Sequence, residues 1–408
     1  MVQIGEIYIG GKEGHPRNKN VYNSGVAFSL SEKSPVDGIY AFESGKWETE
    51  IQKNNQYIIA RCRDILTEEQ IITQGFEYSQ KYLDILSVIL TAQLGTHNPG
   101  QHFILLFSKE GKITLRLVSN SDLRFNMEGD LQVGDKNKKN KELPPVAKLN
   151  WIPAFRYYRI SQSETDPYQA YQALYLAFEE LLQEIEPHLR GEKEIDWLSR
   201  ALSTVKKQIP LNILVQNSQD PLAEIKEHHY KNFRCKLFHA KDGNYILPYD
   251  RPNPNDLYKA YEELLLIWRQ IAITFKNVPI KGGGLTYFGF MRMMDYFENP
   301  EVQMQFTDDP SPGNSSDTKI SPLEHPVFSS TKFEYIRDYI PGIVLFKGAL
   351  ENPEQTGLSL IHRFGLVDKG NLASIHSYQD GIRIQGIDIL EGYETARLIN
   401  KASPKTIF

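Results

Sequence analysis

The hydrophobic period of this chain switches twice, and that double switch limits what it can fold into. From Met1 to about Ser119, short β-branched and aromatic runs recur between turn residues: "EIYIGG", "GVAFSL", "GIYAF" and "QYIIARC". "QHFILLF" and "KITLRLVS" predict a hairpin joined by "SKEG", with Ile113, Leu115 and Leu117 alternating with Thr114 and Arg116. One long helix interrupts these strands. Thr67 and Gln70 form a capping box for it, and Ile71, Gly75, Tyr78, Tyr82 and Leu86 repeat at helical spacing. From Trp151 to about Lys276 the period is helical throughout. Asp166–Pro167 and Asp220–Pro221 open two of four expected helices, and "EIDWLSRALSTVKKQI" and the stretch after Asp256 supply the others. After Val278 strand patterns return in "GIVLFKGAL", "GLSLIHRFGLV" and "GIRIQGIDIL", with "TDDPSPGNSSDTKISPLEHP" expected as a flexible insert.

The expected architecture is therefore α+β: a central antiparallel four-helix bundle between an N-terminal and a C-terminal β-rich region. It divides the chain into a β-rich domain with one long helix (1–150), a helical bundle (151–277) and a β-rich C-terminal region (278–408); the sequence leaves open whether the two β-rich regions form one sandwich or two domains. At 408 residues the chain exceeds a single small core. Its net charge of −5 argues against a surface given over wholly to nucleic acid, although a local basic groove is compatible with it. Cys62 and Cys235 are too few for a disulfide framework or a four-cysteine zinc site, which points to a reducing compartment. The first residues lack a signal-peptide pattern, and no apolar run is long enough for a membrane span. The expectation is a cytoplasmic protein without membrane contact.

Signatures of phosphate loops, nucleophile elbows and zinc helices are absent from the sequence. "KGGGLTYFG" (281–289) lacks the strand and lysine that a phosphate loop needs and reads as a hinge. The lysine-rich "GDKNKKNKELPP" (134–145) reads as a solvated loop. His97, His102, His325, His362 and His376 are scattered without ligand spacing, so no metal or cofactor is expected.

What remains is "KNFRCKLFHAKDG", from Lys231 to Gly243, at the end of the third bundle helix. On a straight α-helix, Arg234 and His239 lie about 140° apart and share no face. Leu222, Ile225, His229, Phe233 and Leu237 form the apolar side. The plain structural expectation is that Arg234 pairs with a carboxylate such as Glu179 or Glu180 while His239 caps the helix end. Lys231, Lys236, Lys241 and Arg251, with Tyr230 and Tyr245, form either a modest RNA-facing surface or an ordinary solvated face.

The blocks "FRYYRISQSETDPYQAYQALYLAFEELLQEIEP", "GEKEIDWLSRAL" and "FRCKLFHAKDG" resemble, in content and order, the Apea-like and MauJ-like branch of the HEPN superfamily. The resemblance spans about Ala154 to Phe275. It implies a dimer in which Arg/His motifs face each other, and metal-independent endoribonuclease activity in bacterial stress or antiviral defence. In that scheme Arg234 holds the phosphate and His239 acts as acid or base, with Tyr230, Cys235, Lys231, Lys236 and Lys241 in support. A second chain would then bring Arg234 to His239. The sequence departs from the family pattern at Cys235, where nucleolytic members carry Asn, Asp or His; a thiol is a weak hydrogen-bond donor. A non-catalytic dimerisation and binding module, with β-rich flanks that bind a ligand or partner, is the alternative reading.

Overall fold

The computed structural model describes residues 1–408 except 17–18, 91–93, 98, 126–148, 212–214, 216–217, 241–242, 244, 279–283, 300, 341, 401–402 and 407. The lysine-rich loop, Lys241 and the glycines before Gly284 therefore lie outside the described residues.

The chain divides into two compact units. The first comprises Met1–Leu123, Arg251–Asn253 and Tyr287–Leu398, and the second comprises Arg124–Asp250, Pro254–Thr286 and Ile399–Phe408.

Strands of the first unit come from both ends of the chain. The N-terminal segment supplies β1 (Val2–Ile4), β2 (Ile7–Gly10), β3 (Ser24–Ser29), β4 (Gly38–Phe42), β5 (Trp47–Ile51), β6 (Tyr57–Cys62), β7 (Phe103–Lys109) and β8 (Lys112–Phe125). The C-terminal segment supplies β9 (Val302–Thr307), β10 (Val327–Ser329), β11 (Lys332–Ile340), β12 (Ile343–Glu351), β13 (Leu360–Asp368), β14 (Asn371–Leu372), β15 (His376–Ile384) and β16 (Ile389–Asn400). One sheet runs β10-β9-β13-β15-β1-β2, with β14 on β13; the other runs β11-β12-β16-β8-β7-β3-β6-β5-β4. Both sheets thus mix the two segments. Gln3 of β1 pairs with Arg383 of β15, and Arg116 of β8 reaches Glu391 of β16 at 2.6 Å. A shared core of inward-facing residues joins the sheets, including Ile4, Leu106, Leu117, Phe306, Val344 and Phe364.

Local chemistry explains the elements. Lys109 and Lys112 pair across Glu110 and Gly111, both at positive φ, the left-handed pair that a two-residue hairpin turn requires. Helix α1 (Glu68–Leu90) starts with the expected capping box: Gln70 N–H donates to Thr67 Oγ1 at 3.3 Å, and Thr67 N–H to Gln70 Oε1 at 3.0 Å. It packs on the second sheet, where Phe76 meets Phe28 edge-on at 5.3 Å. The 307–326 insert has no regular structure after β9, yet it is tied down rather than loose. Buried Asp309 accepts bonds from Ser311 N, Ser321 Oγ and Leu323 N at 2.8–2.9 Å, and buried Arg363 pairs with Asp317.

The second unit is helical: α2 (Pro153–Ser163), α3 (Pro167–Ile185), α4 (Glu194–Lys206), a run from Pro221 to Phe238, and α7 (Asn255–Lys276). Within the run, α5 (Pro221–Ile225) passes into a π-helix (Lys226–Cys235) and then α6 (Lys236–Phe238). Asp166 and Asp220 act as N-caps, accepting from Gln169 N and Ala223 N. Tyr171, Leu174, Phe178, Leu202, Leu264 and Trp268 fill this core. Helix α8 (Gly284–Met294) begins inside the glycine-rich stretch read as a hinge, and from Tyr287 on it belongs to the first unit, where Phe290, Met291 and Met294 join the sheet core.

These findings correct the expected architecture. The chain is α+β, but it is not organised around a central antiparallel four-helix bundle. Two large sheets dominate, the β-rich ends interleave, and the helical unit contains an additional helix, α2, and a π-helical segment. Long-range strand pairing leaves no local trace in sequence, so the sequence does not decide whether the two β-rich ends form one unit or two.

Gly75 on α1 gives a direct check of the helix–sheet contact, since a Cβ there would sit 2.4 Å from Val26 Cγ1. Gly→Ala in an exposed helix gains up to about 1 kcal/mol. Here Gly75→Ala is expected to lose about 1–3 kcal/mol through overpacking, read as a lower urea midpoint; an increase would contradict this packing.

Candidate functional site

The site grows from the π-helix. Its hydrogen bonds close five residues apart instead of four, which widens each turn and brings positions i and i+5 onto nearly one side. His228 and Phe233, five apart, meet edge-on with ring centroids 5.1 Å apart. Two anchors hold the segment to the core. Buried His229 places Nδ1 3.1 Å from Tyr171 Oη, and buried Phe233 packs on the Tyr171 ring at 5.3 Å. Burial lowers the His229 pKa to about 3, so this imidazole is neutral and structural.

Arg234 and His239 are also five apart. The helical run ends at Phe238, and His239 turns into extended backbone at φ −130°, ψ 105°. Its exposed imidazole thereby comes to Arg234 within one chain, with Nη1 and Nε2 3.4 Å apart. The expected 140° separation assumed an α-helix running straight through His239; the π-helix ends at Cys235, and the exit from the helix after Phe238 removes the separation.

The rest of the guanidinium is held by acids. Nη2 lies 2.7 Å from Glu194 Oε1, and Nε lies 3.6 Å from Glu179 Oε1. Tyr230 and Phe238 place their rings 5.5 and 5.6 Å from the guanidinium carbon. The expected pairing with Glu179 is present, but the shorter ion pair is to Glu194, which sequence reasoning missed. Its signal was the acidic first turn of "EIDWLSRAL", where α4 begins and its dipole favours a carboxylate. Tyr230 Oη also donates to Glu194 Oε2 at 3.4 Å.

This crowding has an electrostatic result. Burial, then the hydrogen bond that protonated Glu179 donates to neighbouring Glu194, push the Glu179 pKa up to about 8, while Arg234 works against the shift. Burial opposes the charge on Arg234, but Glu194 and Glu179 outweigh it and raise its pKa. Burial likewise raises the Tyr230 pKa to about 12.

Among the other expected residues, Cys235 is a half-buried free thiol at the end of the π-helix. Exposed Lys231 pairs with Glu227 at 2.7 Å, one turn back on the helix surface. The half-buried Lys236 has its carbonyl bonded by Ile246 N–H at 3.0 Å. The structure therefore joins Arg234, His239 and Tyr230 and leaves the described lysines peripheral.

Of the scattered histidines, His325 contacts Asp308 at 3.1 Å and His376 contacts buried Glu394 at 3.3 Å. His362 Nδ1 meets the Tyr378 carbonyl at 3.0 Å. Burial lowers the pKa of His102 to about 4. All four lie in the first unit.

No family model, curated protein or solved structure matches this chain. Among the described residues, no helix is long and apolar enough to cross a membrane.

Glu179 binds its proton more tightly in the folded chain (pKa about 8) than unfolded (4.5). Its stabilising contribution is therefore full below about pH 4.5 and lost as the pH rises through about 8. Denaturant midpoints from about pH 5 to 9 are expected to fall more steeply for the native chain than for Glu179→Gln. Parallel curves would contradict the raised pKa.

Proposed function

We propose that this protein is a metal-independent endoribonuclease in which Arg234 and His239 of one chain form the reacting pair. The single observation that carries this reading is the contact between the Arg234 guanidinium and the exposed His239 imidazole. Histidine is the side chain whose ordinary pKa suits proton transfer near neutrality. A guanidinium anchored through two of its nitrogens presents the third to a phosphodiester and offsets the charge that grows there. In cleavage by transesterification the ribose 2′-oxygen attacks phosphorus and the bond to the 5′-oxygen breaks. One proton is removed from the 2′-hydroxyl and one is delivered to the leaving oxygen. His239 serves as one of these proton-transfer groups. The resemblance to HEPN domains supports the same roles for these two residues.

A second reading, a non-catalytic module, has its own support. Glu194 and Glu179 already occupy part of the guanidinium, and their charge opposes an incoming phosphate.

Incubating the purified chain with mixed RNA in chelator separates the two. The nuclease reading expects fragments with cyclic phosphate and 5′-hydroxyl ends, and losses of roughly 10²–10⁴-fold in His239→Ala and Arg234→Ala. RNA left intact by the native chain would overturn it.

A further inference from the structure

We infer that Glu179 is the second proton-transfer group of this site, so that His239 takes the 2′-hydroxyl proton and Glu179 protonates the leaving 5′-oxygen within one chain. This inference rests on the nuclease reading above.

A single histidine leaves transesterification one group short, since one proton must leave as another arrives. The geometry around Arg234 supplies a candidate. The guanidinium is a rigid planar fork with donors fixed in direction. His239 sits at Nη1 (3.4 Å) and Glu179 at Nε (3.6 Å), so two ionisable groups share one phosphate-binding plane through different nitrogens. Glu194 makes the shorter contact at Nη2 and receives the Tyr230 hydroxyl, which suits it to balancing the guanidinium charge. Glu179 is then the surplus carboxyl. Its side chain is 21% exposed, so it is accessible yet poorly solvated.

The groups facing Glu179 agree with this assignment. Tyr175 and Glu180 lie on its own helix, Glu194 begins α4, and Arg234 belongs to the π-helix. Only Arg234 among them is cationic. Burial and Glu194 keep the Glu179 carboxyl protonated near neutrality, with its pKa up to about 8, and a proton held there can be given away.

The step balances. The 2′-oxygen forms a bond to phosphorus as its proton passes to the His239 imidazole. The bond from phosphorus to the 5′-oxygen breaks, and that oxygen takes the Glu179 proton. The products are a 2′,3′-cyclic phosphate and a 5′-hydroxyl, leaving an imidazolium and a carboxylate that exchange protons with water.

The test is the pH dependence of kcat/KM on a short RNA in chelator, for the native chain, Glu179→Gln and Glu179→Asp. The native profile is expected to be a bell with its alkaline limb near pH 8, where Glu179 loses its proton. Glu179→Gln is expected to lose roughly 10²-fold at neutral pH together with that limb. Glu179→Asp is expected to keep the limb at reduced rate, an outcome that a purely bracing role does not produce. A Glu179→Gln chain that cuts at the native rate with its alkaline limb intact would overturn this inference and leave the nuclease reading standing. A native profile without an alkaline limb near pH 8 would also overturn it, whatever the variants do. A native chain that leaves RNA intact would overturn both.

Discussion

The candidate site depends on one guanidinium, shared by two carboxylates and an imidazole, and the imidazole's share depends on where the helix stops. Between Lys226 and Cys235 hydrogen bonds close five residues apart, a conformation that is rare and frequently found at functional sites. Two demands meet in this segment. His229 and Phe233 must lie against Tyr171 in the core, and Arg234 must reach Glu194 and Glu179 on neighbouring helices. The wider turn satisfies both, and the break after Phe238 returns His239 to the guanidinium. An α-helix continued through His239 would carry the histidine about 140° round the axis from the arginine.

Charge sets the character of the cluster. Arg234 is largely buried, so neither it nor the acids around it has bulk water to screen them fully. Two carboxylates against one cation leave one acid in excess, and the less solvated of them, Glu179, retains its proton to higher pH. Tyr230 lies over the guanidinium and bonds Glu194, tying the cation to the ion pair. An arginine with this surround is both a structural brace and a preorganised anion contact. The exposed imidazole at its edge is what favours chemistry over bracing alone.

Much of the local structure was legible in the sequence because its causes are local. The Thr67/Gln70 capping box, the Asp166 and Asp220 caps, the Glu110–Gly111 turn and the alternation through Leu115 and Leu117 depend on residues within a few positions of one another. The sheet order was not legible. That β1 pairs with β15 and that β8 neighbours β16 depends on segments more than two hundred residues apart, so the sequence left open whether the β-rich ends form one unit or two. Arg234 and His239 stood out by type and spacing, but their contact did not, because the sequence places the helix end and its turn only to within a few residues. Glu194 was hidden for a related reason: an acid in a first turn is commonplace as a dipole partner, and only the packing of α4 reveals what it faces.

The central claim is that one chain contains the whole Arg234/His239 unit. Mixing Arg234→Ala chains with His239→Ala chains, alongside native chains that cut RNA, tests it most directly. If the unit is complete within each chain, the mixture stays as inactive as either variant alone. If the motif is completed across a dimer, mixed dimers regain one intact site, and recovery of cleavage in the mixture would contradict the account.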